Sequence, residues 1–107
     1  MRRTRSKRNW APGWAKVEAE GVCRAARPGL LLCEGPLDPA HIVPRGQIPV
    51  AAGDDPRATI PLCRRHHMQA HHGELETLGL LTLEEQSFVV GLVGIERARR
   101  YTTGRAA

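Results

Sequence analysis

The ten residues from Cys63 to His72, CRRHHMQAHH, hold one cysteine and four of the chain's five histidines, and they constrain the fold more than any other stretch. They follow a short apolar run, Ile60-Pro61-Leu62. If the segment is helical, residues three and four apart share a face, which groups Cys63 with His66 and His67, and His67 with His71. Two imidazoles one turn apart make a ready pair of metal ligands. Cys63 and His66 have the spacing of half a structural zinc site. The pattern admits two centres, one on each side of the same helix start.

At 107 residues and 11.8 kDa the chain is one domain. A core this small is marginal alone, and a structural metal is a common supplement. Aromatic residues are only 4% (Trp10, Trp14, Phe88, Tyr101), which strengthens that expectation. Three cysteines cannot all pair within one chain, and a metal-ligand role suits a reducing compartment. The net charge of +5 and pI of about 9.9 fit a polyanionic partner. The charge sits at the ends, in Arg2, Arg3, Arg5, Lys7 and Arg8 and again in Arg97, Arg99, Arg100 and Arg105. No apolar stretch approaches a membrane span, and the basic start leads into Asn9-Trp10-Ala11-Pro12-Gly13 without an apolar segment. The chain therefore reads as cytoplasmic, with no signal peptide and no membrane partner.

Residues 1–9 read as a basic flexible arm, and 10–107 as a single domain. Pro12 suits the first turn of a short helix that Gly21 stops, with Trp14, Val17 and Val22 along one face. Its two tryptophans read as packing residues rather than as platforms for bases. The Gly- and Pro-rich stretch Cys23 to Gly53 suits knuckles and short strands. Ala40 to Val43 reads as a strand, Gly46 to Pro56 as a loop, and Ala58 to Leu62 as the partner strand. A helix from about Cys63 to His72 follows, ended by Gly73 in left-handed geometry. Asp54 and Asp55 read as turn residues, Glu74 and Glu76 as solvated charge, and His72 as solvent-facing or a phosphate contact. The last predicted element is a helix over about 83–100. Thr82 and Glu85 form a capping box, and Leu83, Phe88, Val89, Leu92, Val93 and Ile95 supply an apolar stripe. Gly91 and Gly94 weaken this helix or permit close packing.

Leu37-Asp38-Pro39-Ala40-His41-Ile42-Val43-Pro44-Arg45, then Ile60-Pro61-Leu62-Cys63-Arg64-Arg65-His66-His67, then His71, resemble the HNH endonucleases. The similarity runs over about residues 21–76 and is nearest to small bacterial and phage members with an Asp-Pro-Ala-His segment. It implies an α+β fold: a small ββα-metal, treble-clef-like core with a zinc knuckle, between a short N-terminal helix and a C-terminal helix. It also implies a DNA endonuclease that nicks or cuts by water attack. His41 would be the general base, since an imidazole with pKa near about 6.5 can take a proton from water at neutral pH. His67 and His71 would hold a Mg²⁺ or Mn²⁺ ion against the scissile phosphate. Arg45, Arg64 and Arg65, with Arg3, Arg5 and Arg8 of the arm, would contact DNA.

Three positions depart from the family pattern. Ala40 stands where a metal ligand usually precedes the general base, so Asp38 or water must substitute. Ala58 stands where the family's Asn orients that base. Cys23 has Ala26 where the knuckle's second cysteine belongs, and Cys33 remains as the candidate. A zinc site of Cys23, Cys33, Cys63 and His66 has the right ligand count with an unusual loop of nine residues between its first two cysteines. Cys33 as a small core residue is the alternative. Two other functions stay open: a zinc-stabilised DNA-binding module that has lost catalysis, and an accessory nuclease directed by phage packaging proteins. Monomer and homodimer are equally compatible with the C-terminal helix.

Overall fold

The computed structural model describes residues 9–26, 33–44 and 46–103. Arg3, Arg5, Arg8 and Arg45, expected on DNA, lie outside these residues. Helix α1 (Ala11–Glu20) carries Pro12 in its first turn and ends at Gly21, whose φ of 69° is open to glycine without steric cost. Of the expected face only Val17 is buried, and Gly13 joins it, whereas Trp14 is 46% and Val22 61% exposed. Gly13 lets the helix approach the sheet so closely that a Cβ there would lie 3.0 Å from the Pro39 Cβ. Seating the helix through its smallest residue turns the indoles away from the core.

Strands β1 (Leu37–His41) and β2 (Thr59–Cys63) form an antiparallel ribbon, from Leu37 opposite Cys63 to His41 opposite Thr59. The first strand starts earlier than its expected span and stops at His41, with Ile42 and Val43 buried in the bend beyond. Pro39 faces Pro61, which a two-stranded ribbon tolerates because each strand keeps a free edge. The expected loop between the strands contains a short helix α2 (Val50–Gly53) and a 3₁₀ turn, Pro56–Ala58. Asp55 caps that turn by accepting the Arg57 amide hydrogen.

Helix α3 (Arg64–His71) begins directly after β2. Its N-cap is Cys63, whose Sγ accepts the His66 amide hydrogen at 3.4 Å. Strand, strand and helix thus follow in the expected order. The expected single C-terminal helix is two, α4 (Leu83–Val93) and α5 (Ile95–Thr103), divided at Gly94 with φ 86°. The stripe is narrower than its pattern suggests, since Leu83 is 80% and Ile95 62% exposed while Val89 packs in the core. The result is a small α+β structure of a two-stranded sheet and five α-helices among the described residues. None of these helices is long and apolar enough to cross a membrane.

Glu85 is the more deeply buried of two buried acidic side chains among the described residues, the other being Asp38. The Thr82–Glu85 capping box forms as the sequence suggests. Glu85 is nevertheless buried, because it also accepts from Lys16 of α1 and from both terminal nitrogens of Arg24, at 2.8 and 2.9 Å. Arg24 in turn pairs with Glu20 and donates to the Leu80 carbonyl. Burial alone would raise the Glu85 carboxyl, but the hydrogen bonds from Arg24 and Lys16 outweigh it and hold the group at about 2, against an ordinary 4.5. A depressed carboxyl stabilises the fold above its unfolded pKa and loses that contribution as pH falls through the folded one. The shift corresponds to about 3 kcal/mol. Glu85→Gln is therefore expected to lower unfolding stability by about 3 kcal/mol at pH 7. The gap between wild type and variant should close between pH 4.5 and 2, measured by denaturant titration at each pH.

Candidate metal centre and cleft

The start of α3 carries the first site. Cys63 at its N-cap and His66 in its first turn are fixed by the helix itself. Cys23 follows α1, and Cys33 precedes a turn at Gly35, where φ is 84° and a Cβ would meet the Arg64 Cβ at 2.7 Å. Backbone bonds from Arg64 to the Pro36 carbonyl and from Arg65 to the Glu34 carbonyl bind that turn to α3.

The structure brings all four expected residues together. One ligand atom from each of Cys23, Cys33, Cys63 and His66 lies within 4.8 Å of the others. The three sulfurs are 3.5, 3.8 and 3.1 Å from His66 Nδ1, for Cys23, Cys33 and Cys63 respectively. A tetrahedral ion with Zn–S of about 2.3 Å and Zn–N of about 2.0–2.1 Å sets S···N edges of roughly 3.6 Å. The spacing therefore fits a metal such as zinc. Burial keeps the His66 imidazole below its ordinary pKa, which favours the neutral ligand form. Desolvation opposes ionisation of Cys63, yet the amides of His66 and Glu34 hold its thiol below the usual value. Desolvation and the facing sulfurs of Cys23 and Cys63 push the Cys33 thiol up to about 11, so metal capture would displace a proton there.

A second site lies on the other side of α3. Arg64, His67, Met68 and His71 stand at i, i+3, i+4 and i+7 and line an open cleft of about 1030 Å³. Strand β1 contributes Asp38 and His41, the N-cap of α1 contributes Trp10, α1 contributes Trp14, and α5 contributes Tyr101. His41, expected as the general base, and His67 and His71, expected as ligands of the divalent ion, all line this cleft. His41 ends β1, and the Trp10 indole meets its ring edge-to-face with centroids 5.5 Å apart. His72 is exposed beside His71, ring to ring, and does not line the cleft.

Asp38, expected as a ligand of the divalent ion, is engaged by two side chains of α3. Its carboxylate takes Arg64 Nε at 2.7 Å, Arg64 Nη2 at 3.2 Å and His67 Nδ1 at 3.1 Å. The Arg64 guanidinium, then burial and His67, set the balance that holds Asp38 below the usual carboxylate range. Among the described residues, Asp38, His67 and His71 do not close into a three-donor cluster like that of Cys23, Cys33, Cys63 and His66. The Asp38 contact falls on Nδ1 of the His67 ring. Arg64, expected on DNA, is tied to Asp38 while its side chain stays 57% exposed, and Arg65 lies 3.7 Å from Glu34. Ala40 and Ala58 are buried, and neither lines the cleft.

Trp10, Trp14 and Met68 were not among the expected site residues. The spacing of the tryptophans, one helical turn apart, carried the signal; Gly13 and Val17 offered an equally regular face and took the core. No protein-family model, curated protein or solved structure matches this chain.

Proposed function

We propose that the protein is a metal-dependent DNA endonuclease built on a ββα-metal core, with zinc bracing the start of α3 and the cleft on its opposite face holding the reaction. The observation that carries this reading is the meeting of His41, His67 and His71 in one open cleft beside an exposed arginine, Arg64. Two imidazoles one turn apart, the first braced by Asp38, suit a divalent ion whose remaining positions go to water and phosphate oxygens. Nitrogen donors favour Mn²⁺ over Mg²⁺. Bound there, such an ion would polarise the scissile phosphate and neutralise charge on the leaving oxygen. His41 would take the proton of the attacking water from the end of β1. Arg64 would lend positive charge to a neighbouring phosphate while keeping Asp38 in place. The net charge of +5 supports a polyanionic substrate.

Supercoiled plasmid incubated with the purified protein is expected to become nicked or linear when Mn²⁺ or Mg²⁺ is added, and to remain intact in their absence. Intact plasmid in both metals would remove this reading. The second reading, a zinc-braced DNA-binding module without catalysis, draws on Ala40, Ala58 and the engagement of Asp38 by Arg64. It requires salt-sensitive DNA binding, zinc in the protein, and no weaker Mn²⁺ site by calorimetric titration.

A further inference from the structure

We infer that the cleft receives an unpaired stretch of DNA strand, with a base stacked on the Trp10–Trp14 face of α1. The inference rests on the nucleic-acid reading above and specifies its substrate. Three of the four aromatic residues of the chain, Trp10, Trp14 and Tyr101, line this one cleft. In a protein so short of aromatic residues, the two indoles stay 38% and 46% exposed while a glycine and a valine take the core positions of their helix. Both stand on one face, a turn apart, with the Trp14 backbone amide donating to the Trp10 carbonyl at 3.0 Å. The facing helix α3 presents Met68, 45% exposed, among Arg64, His67 and His71. One wall thus carries two partly exposed indoles, and the other carries Arg64 and the proposed ion ligands His67 and His71.

A nucleotide has matching halves: a base with a π-face and an anionic phosphate. A duplex presents phosphates but hides its base faces within the stack, and contact with phosphates alone would leave both indoles in water. An unpaired base removes that exposure. Trp10 also touches His41, so a base stacked on α1 lies next to the proposed general base.

The protein has two tryptophans and both line the cleft, so its intrinsic emission reports on this site. The zinc-loaded full chain is titrated, without added Mg²⁺ or Mn²⁺, with a short oligodeoxythymidine, with an abasic strand of equal length, and with a duplex. Saturable quenching by the oligodeoxythymidine is expected, with binding at least about tenfold tighter than to the abasic strand or the duplex. Trp10→Ala and Trp14→Ala should each weaken binding of a labelled oligodeoxythymidine by about tenfold, and Trp14→Phe should recover most of the loss. Equal affinity for the abasic strand, preference for the duplex, or wild-type affinity in both alanine variants would overturn the inference. Failure to cut either plasmid or a single-stranded DNA circle in Mn²⁺ or Mg²⁺, with base-dependent quenching intact, would remove the nuclease reading and leave this one standing. Plasmid cutting without base-dependent binding would do the reverse.

Discussion

A strong zinc chelator is expected to unfold this protein, not merely to inactivate it. The core explains why. Its largest fully buried side chains include Ile60, Leu62, Val43 and Val89, while both tryptophans stay exposed in the cleft. Two of the candidate ligands, Cys23 and Cys63, are themselves core residues. The site joins three segments that share no helix or strand: the end of the α1 connection at Cys23, the turn at Cys33, and the start of α3. Structural zinc in small domains contributes apparent free energies of about 10–16 kcal/mol, against a total stability of about 5–15 kcal/mol for a typical domain. Removal should therefore exceed what the remaining contacts can hold. Thermal melts by circular dichroism, with and without chelator, should show loss of the cooperative transition, and Cys63→Ser should reproduce it without chelator. Elemental analysis should find one zinc per chain. A chelator-insensitive melt, or protein that purifies folded without a bound transition metal, would sink the structural role of the cluster.

How far the sequence revealed this centre depends on distance along the chain. Cys63 and His66 were legible because they sit within one helical turn, where spacing and geometry are nearly the same statement. Cys23 and Cys33 were legible only by ligand count, since nothing in a nine-residue connection says that its ends return to one point. The same limit hid Glu85. Its capping role is local and was readable, but its burial depends on Lys16 and Arg24, each more than sixty positions away. The exposure of the tryptophans was not readable, because α1 meets β1 at Gly13, close against Pro39, and burial falls on Gly13 and Val17 rather than on Trp14. The split at Gly94 was half-visible, because a glycine in a helical pattern marks either a weak point or a close contact, and only the observed φ of 86° decides between them. Asp38 was visible as a chemically competent carboxylate, but its partner was not, since the strand position of Asp38 and the helix position of Arg64 meet only in the fold.

His41→Ala is expected to reduce plasmid cleavage by about 10²–10⁴-fold in Mn²⁺, the usual contribution of a positioned general base. The backbone at His41 is held by its pairing with Thr59 in the ribbon, so truncation of the ring leaves the strand in register. The proposed ion ligands, His67 and His71, are on a separate element, α3, and Asp38 contacts His67 from the neighbouring part of β1. Binding of Mn²⁺ and of DNA should therefore change little, and the loss should fall on turnover. That division matters, because removing a ligand has the opposite signature. His67→Ala or His71→Ala should raise the Mn²⁺ concentration needed for cleavage, while His41→Ala should leave it near that of the wild type with a lower plateau. Single-turnover cleavage at saturating Mn²⁺, alongside calorimetric Mn²⁺ titration of each variant, separates these outcomes. If His41→Ala cuts as fast as the wild type once metal is saturating, the water-activating role belongs to another group in the cleft.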